Sequence, residues 1–239
     1  DEITDLRLVN PVEGTINVYL VANLSTGDNS LCGISTFSWY ESQGIVMAND
    51  CFSTWDNHST LAHEVGHYFD LVHTHSGSPQ PDENGVIAGP SCEFADFSEC
   101  AVRGDDFCDT SADPKLDEIV DSNCNYYETY VDGHGDLFDP PTLNYMSYSQ
   151  KFCRDVFSEE QLDKALYTVI YIRTELFQPA PTPYISMLNY AWAESQGDGD
   201  LLLNQGESAM LNFSFLNWFG FPDGQNFSLS LISENPDIS

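Results

Sequence analysis

His63-Glu64-Val65-Gly66-His67-Tyr68-Phe69-Asp70-Leu71-Val72-His73 is the stretch whose reading decides the fold. On a helix turning about 100° per residue, His63 and His67 share one face and Glu64 sits beside them. Leu61, Val65 and Phe69 fall on the opposite face. The spacing therefore predicts a helix that packs on a core while its imidazoles point into a cleft. The predicted helix runs from about Thr60 to Phe69, with Asn57 or Ser59 as its cap. His73 comes too late to share the first face of a straight helix, so the chain must turn after His67, and Asp70 is the place for that turn. Three neutral imidazoles then occupy three corners of a tetrahedron around a zinc ion, and the fourth corner stays open for water. A lone His-Glu-x-x-His also fits an ordinary amphipathic surface helix. With the third histidine, the pattern arises by chance in a chain this long on the order of once in ten thousand, which favours zinc.

The stretch resembles the extended zinc signature of the metzincin metalloproteases, His-Glu-x-x-His-x-x-Gly-x-x-His. Asn144-Tyr145-Met146-Ser147-Tyr148 resembles the Met-turn, a tight turn whose methionine underlies the zinc site. Three further elements are similar to the pappalysin family, in particular its smaller secreted bacterial members. They are Gly33-Ile34-Ser35-Thr36-Phe37, His63-Glu64-Val65-Gly66-His67 followed by His73-Thr74, and Gly104-Asp105-Asp106-Phe107-Cys108-Asp109-Thr110. The resemblance covers roughly residues 10 to 178. One departure is Asp70, where the family has glycine. A helix end with positive φ suits glycine, and Asp or Asn tolerates it next best, at about 1 kcal/mol.

The resemblance implies an α+β fold: a metzincin-type catalytic domain with a twisted mixed sheet, the zinc helix and a C-terminal helix. The implied reaction is peptide-bond hydrolysis by a zinc-bound water. Glu64 is the implied general base, and Tyr148 the group that steadies the tetrahedral intermediate. Met146 has a structural role. Gly33, Ile34, Ser35 and Thr36 lie on the sheet edge along which an extended protein or peptide substrate adds as a strand. Asp105, Asp109 and Thr110 are the calcium ligands the resemblance suggests; a solvated acidic turn is the other reading. In related zymogens a prosegment blocks the zinc, so an inhibitory prosegment outside this chain is expected.

Of 239 residues, 7 are basic and 38 acidic, a net charge of −31. Phosphates would be repelled, which argues against nucleic acid, and anionic membrane surfaces are disfavoured too. Bound calcium is a ready counter-charge. The overall field favours basic peptide substrates over acidic ones. No stretch reaches the ~18 consecutive apolar residues of a membrane span. No signal peptide is visible at Asp1-Glu2, which reads as a processed or trimmed form. Seven cysteines, Cys32, Cys51, Cys92, Cys100, Cys108, Cys124 and Cys153, all precede residue 154. Beside a protease signature they favour disulfides in an exported, extracellular chain over reduced cytosolic thiols. Cys32 and Cys51 flank two predicted neighbouring strands and can pair. Cys153 ties back to the 92–124 region, and one cysteine is left over.

Thr15 to Asn23 alternates, with Ile16, Val18 and Leu20 on one face, and predicts a strand. Leu31 to Trp39 and Gly44 to Ala48 predict two more. Residues 74 to 142 hold little regular pattern and need fastening by disulfides and calcium. Ser158-Glu159-Glu160-Gln161 is a capping box opening a helix to about Phe177. Leu162, Leu166, Val169 and Ile172/Arg173 step along its expected core face. Gln178 to Pro183 is a linker by composition. The expected domains are thus a catalytic domain over 1–178, a linker over 179–183, and a small β-sandwich-like module over 184–239, read as truncated. Its strands are expected at Tyr184 to Ala193, Ser208 to Phe215 and Asn226 to Ile232. Asp198, Asp200, Asn204 and Glu207 resemble acidic turns that bind calcium in secreted bacterial β domains; a bland turn is the alternative. Two rivals stand beside a secreted zinc endopeptidase. One is a non-catalytic, zinc- and calcium-stabilised binding protein on the same scaffold, which Glu64 disfavours. The other is a zinc hydrolase of non-peptide amides or esters, which the predicted edge strand disfavours.

Overall fold

Ile45-Val46-Met47-Ala48, four apolar residues in succession, form a strand buried on both faces (β5, Ile45–Ala48). The computed structural model describes residues 2–52, 58–176, 185–196 and 208–217. In it β5 is the middle of a three-stranded mixed sheet. β1 (Val18–Val21) runs parallel to it, Val18 opposite Ile45. β4 (Gly33–Ile34) runs antiparallel on the other side, Gly33 opposite Met47. Between them β2 (Ser25–Thr26) and β3 (Asn29–Ser30) make a short hairpin, and α2 (Asn49–Phe52) follows β5.

Helices cover both faces of the sheet. On one side Ile3 and Leu6 of α1 (Glu2–Arg7) pack with Leu24, Val46 and Ala48. On the other, Leu61, Val65 and Phe69 of α3 (Thr60–Tyr68) pack with Ile45 and Met47. That is the apolar face its spacing predicted. Ser59 occupies the cap position of α3, but its hydroxyl donates to Lys151 O instead of capping; Asn57 lies outside the described residues.

The sequence left the buried face of β1 open, and one expected core face, that of the C-terminal helix, is corrected. In β1, Val18 and Leu20 are 40% and 51% exposed, while Tyr19 and Val21 pack beneath α1. Both faces of that segment are apolar, so its alternation could not say which one α1 would cover. In α4 (Glu159–Tyr167), which continues as a π-helical turn over Thr168–Ile172, Leu162 and Leu166 are exposed. Gln161 and Thr168 face inward instead, together with Arg173, the one residue of the expected face that is fully buried. This helix docks on polar backbone ends: Arg173 donates to Tyr68 O at 2.7 Å and Thr36 O at 3.1 Å, and its guanidinium lies 3.6 Å from the Tyr68 ring centre. The capping box is present, with Ser158 and Gln161 bonding reciprocally.

The long irregular region contains β6 (Val86–Ile87), paired parallel to β7 (Val131–Asp132), and one 3-10 turn over Cys100–Val102. Side chains stitch the rest. Asp82, Asp121 and Asp132 each open the same turn, accepting with Oδ1 from the backbone N–H groups two and four residues on, at 2.8–3.0 Å. Such Asx bonding substitutes for a backbone ladder. Disulfides join Cys32–Cys51, Cys100–Cys108 and Cys124–Cys153. The cysteine left over is Cys92, a buried thiol whose pKa burial pushes up.

The chain divides into two compact units, Asp1–Phe177 and Gln178–Ser239. In the second, β8 (Ile185–Gln196) and β9 (Ser208–Asn217) form an antiparallel ribbon. The linker, the expected strand at Asn226 to Ile232, and Asp198, Asp200, Asn204 and Glu207 lie outside the described residues. Among the described residues no helix is long and apolar enough to cross a membrane.

Candidate functional site

The end of α3 sets the geometry of the site. Asp70 stands at φ 67°, Asp70 N donates to His67 O, and Leu71 N donates to Gly66 O at 3.0 Å. This is a Schellman ending with aspartate in the left-handed position. It reverses the chain so that His73 returns towards the helix. His73 Nε2 comes to 2.9 Å from His67 Nε2 and 3.2 Å from His63 Nε2. Nitrogens bound at about 2.0–2.1 Å to one tetrahedral ion stand roughly 3.3 Å apart, so the three fit a single small cation.

The hydrogen bonds behind the rings point the same way. His63 Nδ1 donates to Tyr145 O at 2.6 Å and His67 Nδ1 donates to Leu71 O at 2.7 Å. A carbonyl only accepts, so each Nδ1 carries the proton and each Nε2 turns a bare lone pair into the gap. Burial first, then the neighbouring imidazoles or Arg154, holds His63 and His73 well below the ordinary histidine range; burial lowers His67 as well. All three are neutral, the form that ligates a metal.

The turn 144–148 lies beneath. Met146 is fully buried, and a side chain at Gly66 would collide with its sulfur. Tyr145 O fixes His63, and Met146 O accepts from Thr74 N at 3.2 Å, next to His73. Asp113, also buried, accepts from Thr74 Oγ1 at 2.5 Å. The Tyr148 ring lies 4.6 Å from that of His73 and 4.4 Å from that of His75. His75 stacks on His73.

Glu64 is 6% exposed and packs against β4: a Cβ at Gly33 would stand 2.7 Å from its Oε1. Burial pushes its carboxyl up to about 7, against the pull of Arg7, Lys151 and Arg154. A cleft of about 680 Å³ runs between Gly33, Ile34, Ser35 and Thr36 on one side and the three histidines, Glu64 and Tyr148 on the other. β4 proper holds only Gly33 and Ile34, and it is an edge of the sheet.

Residues 11–169 match the peptidase family M43, described as pregnancy-associated plasma protein-A. The chain belongs to that family. Its fold is mixed α+β. Pappalysin-1 of Homo sapiens is 23% identical over 195 residues, which cover 76% of this chain and 11% of that protein. Pappalysin-1 of Mus musculus is 24% identical over the same shares. The chain thus spans about a tenth of the length of these relatives. Among solved structures, Tannerella forsythia mature mirolysin in complex with a cleaved peptide is 22% identical with a TM-score of 0.46, covering 73% of this chain and 63% of that one. Mirolysin in complex with compound 9 is 24% identical with a TM-score of 0.44, covering 67% and 55%.

The pappalysin-like element at 104–110 divides in the structure. Thr110 Oγ1 donates to both oxygens of Asp105, at 2.9 and 3.0 Å. Asp109 is exposed and accepts instead from Glu160 N, at 2.8 Å. Glu93 takes a place beside Asp105 that the sequence did not mark. It is 2% exposed and neither carboxyl oxygen has a hydrogen-bond partner among the described residues. Burial, then Asp105 and Asp113, pushes it up to about 8. Arg7, Lys151 and Arg154 also went unmarked, and their scarcity among 239 residues was the available signal.

Proposed function

We propose that this chain is a secreted zinc-dependent endopeptidase, with a catalytic domain over 1–178, a short linker and a β module. One observation carries the reading: three neutral imidazoles converge on a gap the size of one tetrahedral ion, with Glu64 buried at its edge. His63, His67 and His73 would hold the zinc. When bound, it supplies a Lewis acid that polarises the scissile carbonyl and lowers the pKa of a coordinated water towards neutrality.

The chain's own residues do the rest. An extended peptide binds along the open edge of β4 by main-chain hydrogen bonds. Glu64 takes the proton of the attacking water and returns it to the leaving amine. A carboxyl with a pKa of about 7 suits a group that must act as base and then as acid near neutral pH. The Tyr148 phenol, kept protonated by burial, donates to the oxygen that gains charge in the tetrahedral intermediate. Met146 supports the histidines from below. Three disulfides support an extracellular setting.

Calcium is the second proposed ion, held by Asp105, Thr110 and Glu93. The buried Glu93 carboxyl, without a hydrogen-bond partner among the described residues, supports it, since such a group ionises readily only beside a counter-charge. Replacing Glu64 by Gln tests the main reading. Peptide cleavage should disappear while one zinc per chain remains. Full cleavage in that variant rejects Glu64 as base. A zinc-loaded wild-type chain that cuts nothing in a mixed proteome is the non-catalytic binding protein instead.

A further inference from the structure

Arg7 ends α1 on the rim of the cleft that holds Glu64 and β4. It is 7% exposed. Its Nη2 donates to Ile34 O at 3.3 Å. Its Nε has no hydrogen-bond partner, and no carboxylate forms an ion pair with it, among the described residues. A guanidinium stays charged and offers five donors in a fixed fork that matches a carboxylate. Glu64, buried in the same cleft, is the carboxyl that attracts Arg7 from within the fold, but the two make no ion-pair contact among the described residues, so the fork keeps donors for a carboxylate that arrives with a substrate.

The distribution of charge around the cleft adds to this. The chain has only 7 lysines and arginines, and four of them crowd this place. Arg7 lines the cleft, while Lys151 and Arg154 line the depression that adjoins it across Tyr148. Lys115 Nζ and Arg154 Cζ lie 5.8 and 6.0 Å from the centre of the Tyr148 ring. Arg154 makes its hydrogen bonds to a neutral partner, Ser149 O. Asp117 and Glu118, at the outer end of the depression, are exposed, where water screens them, whereas Glu64 and Asp113, which also attract Arg154, are buried with it; the four cations outnumber these two buried acids.

We propose that Arg7 is a specificity-determining residue: it binds a side-chain carboxylate of an extended peptide lying along β4, so the enzyme selects substrates with an acidic residue at one fixed position. The inference rests on the peptidase reading given above. The net charge of −31 argues for the opposite preference. At contact distance a buried guanidinium prevails over charges spread across a wet surface, because buried groups are screened least. Arg7 also precedes residues 11–169 that carry the family match, so this selectivity belongs to the chain's own amino-terminal segment.

The test uses the zinc-loaded full chain and peptides blocked at both ends. Cleavage of a proteome-derived library first finds a substrate, and pairs with Glu or Gln at each position of it are then compared. At one position the Glu peptide should be cut with a kcat/KM about tenfold or more above its Gln partner, mostly through KM. Arg7→Gln should abolish that ratio. Arg7→Glu should reverse it towards a Lys peptide, which a merely structural arginine would not do. A ratio near one at every position in the wild-type chain overturns the proposal without any variant. So does a ratio that survives Arg7→Gln. Cleavage without acidic preference rejects this inference alone, whereas no peptide cleavage at all rejects the peptidase reading and this inference with it.

Discussion

The Asp70 carboxylate accepts two hydrogen bonds from Ser38, one from the backbone N–H and one from the hydroxyl, each at 2.7 Å. Its Oδ2 also accepts from Thr168 Oγ1 at 3.3 Å. One side chain therefore ties the end of α3 to the segment after β4 and to the C-terminal helix. These bonds offset the strain of a non-glycine residue in the left-handed region, about 1 kcal/mol. Asp70→Gly removes the strain and the bonds together. Bonds to a charged group contribute about 1.5–3 kcal/mol each, so losing the two short bonds from Ser38 while relieving the strain should cost the variant about 2–5 kcal/mol net. Asp70→Ala keeps the strain and should lose about 1 kcal/mol more. Denaturant midpoints measure both, and a glycine variant as stable as its parent would show that the side chain contributes nothing.

Gly33 leaves no room for a side chain. A Cβ there would stand 2.6 Å from Glu64 Cγ and 2.7 Å from its Oε1. Gly33→Ala should push the carboxyl aside while leaving the histidines in place. A displacement of this size at a catalytic group lowers turnover by about 100-fold. Zinc content and thermal stability should stay near those of the parent. Undiminished kcat in that variant would mean that Glu64 is not held against β4 during turnover.

The part of the site that follows from local periodicity was legible in the sequence. His63, His67 and Glu64 sit on one helix, and only a left-handed residue near Asp70 could bring His73 back; the structure has that residue at φ 67°. β5 was legible because an unbroken apolar run has one home, the middle of a sheet. What was not legible was the choice between faces. Val18 and Leu20 were as apolar as Tyr19 and Val21, and α1 decided which pair to cover. In α4 the apolar stripe misled, because the inward face is polar and is satisfied by the Asn144 amide, the Asp70 carboxylate and the Tyr68 carbonyl, all distant in the chain. Glu93 and Arg7 were invisible for the same reason: their partners are distant in sequence, and burial alone makes their charges consequential.

Three buried carboxyls make stability depend on pH in a direction that calcium should reverse. Burial above all pushes Glu93 up to about 8, Asp105 to about 7 and Asp113 to about 6. In the unfolded chain they titrate near about 4. With calcium chelated, the folded chain keeps protons that the unfolded chain has released. That stabilisation is complete below about pH 4 and is lost as pH rises through about 6 to 8. Calcium requires ionised carboxylates, so its own stabilising effect grows over the same window. Thermal unfolding at about pH 5 and about pH 8, with calcium and with chelator, should show the larger calcium-induced rise in Tm at the higher pH. Glu93→Gln should flatten the slope of the chelated form. If calcium leaves Tm unmoved at the higher pH, no ion sits at Asp105, Thr110 and Glu93.

Asn144 and Gln161 exchange two buried amide hydrogen bonds, at 2.9 and 3.3 Å. Gln161 also closes the capping box of α4, and Asn144 Oδ1 also accepts from Met146 N at 2.8 Å. The helix start thus fastens the turn whose Tyr145 carbonyl orients His63. Asn144→Ala leaves the Gln161 amide buried without its partner and should cost about 1–3 kcal/mol. Loosening a group that orients a metal-binding histidine should also weaken zinc binding about 10–100-fold. Gln161→Ala should destabilise by a similar amount but disturb zinc less, because the bond from Met146 N to Asn144 survives. The double variant should lose less than the sum of the two, by about 0.5–3 kcal/mol. Additive losses together with parental zinc affinity in Asn144→Ala would mean that Met146 packing on Gly66 holds the turn without help from the helix.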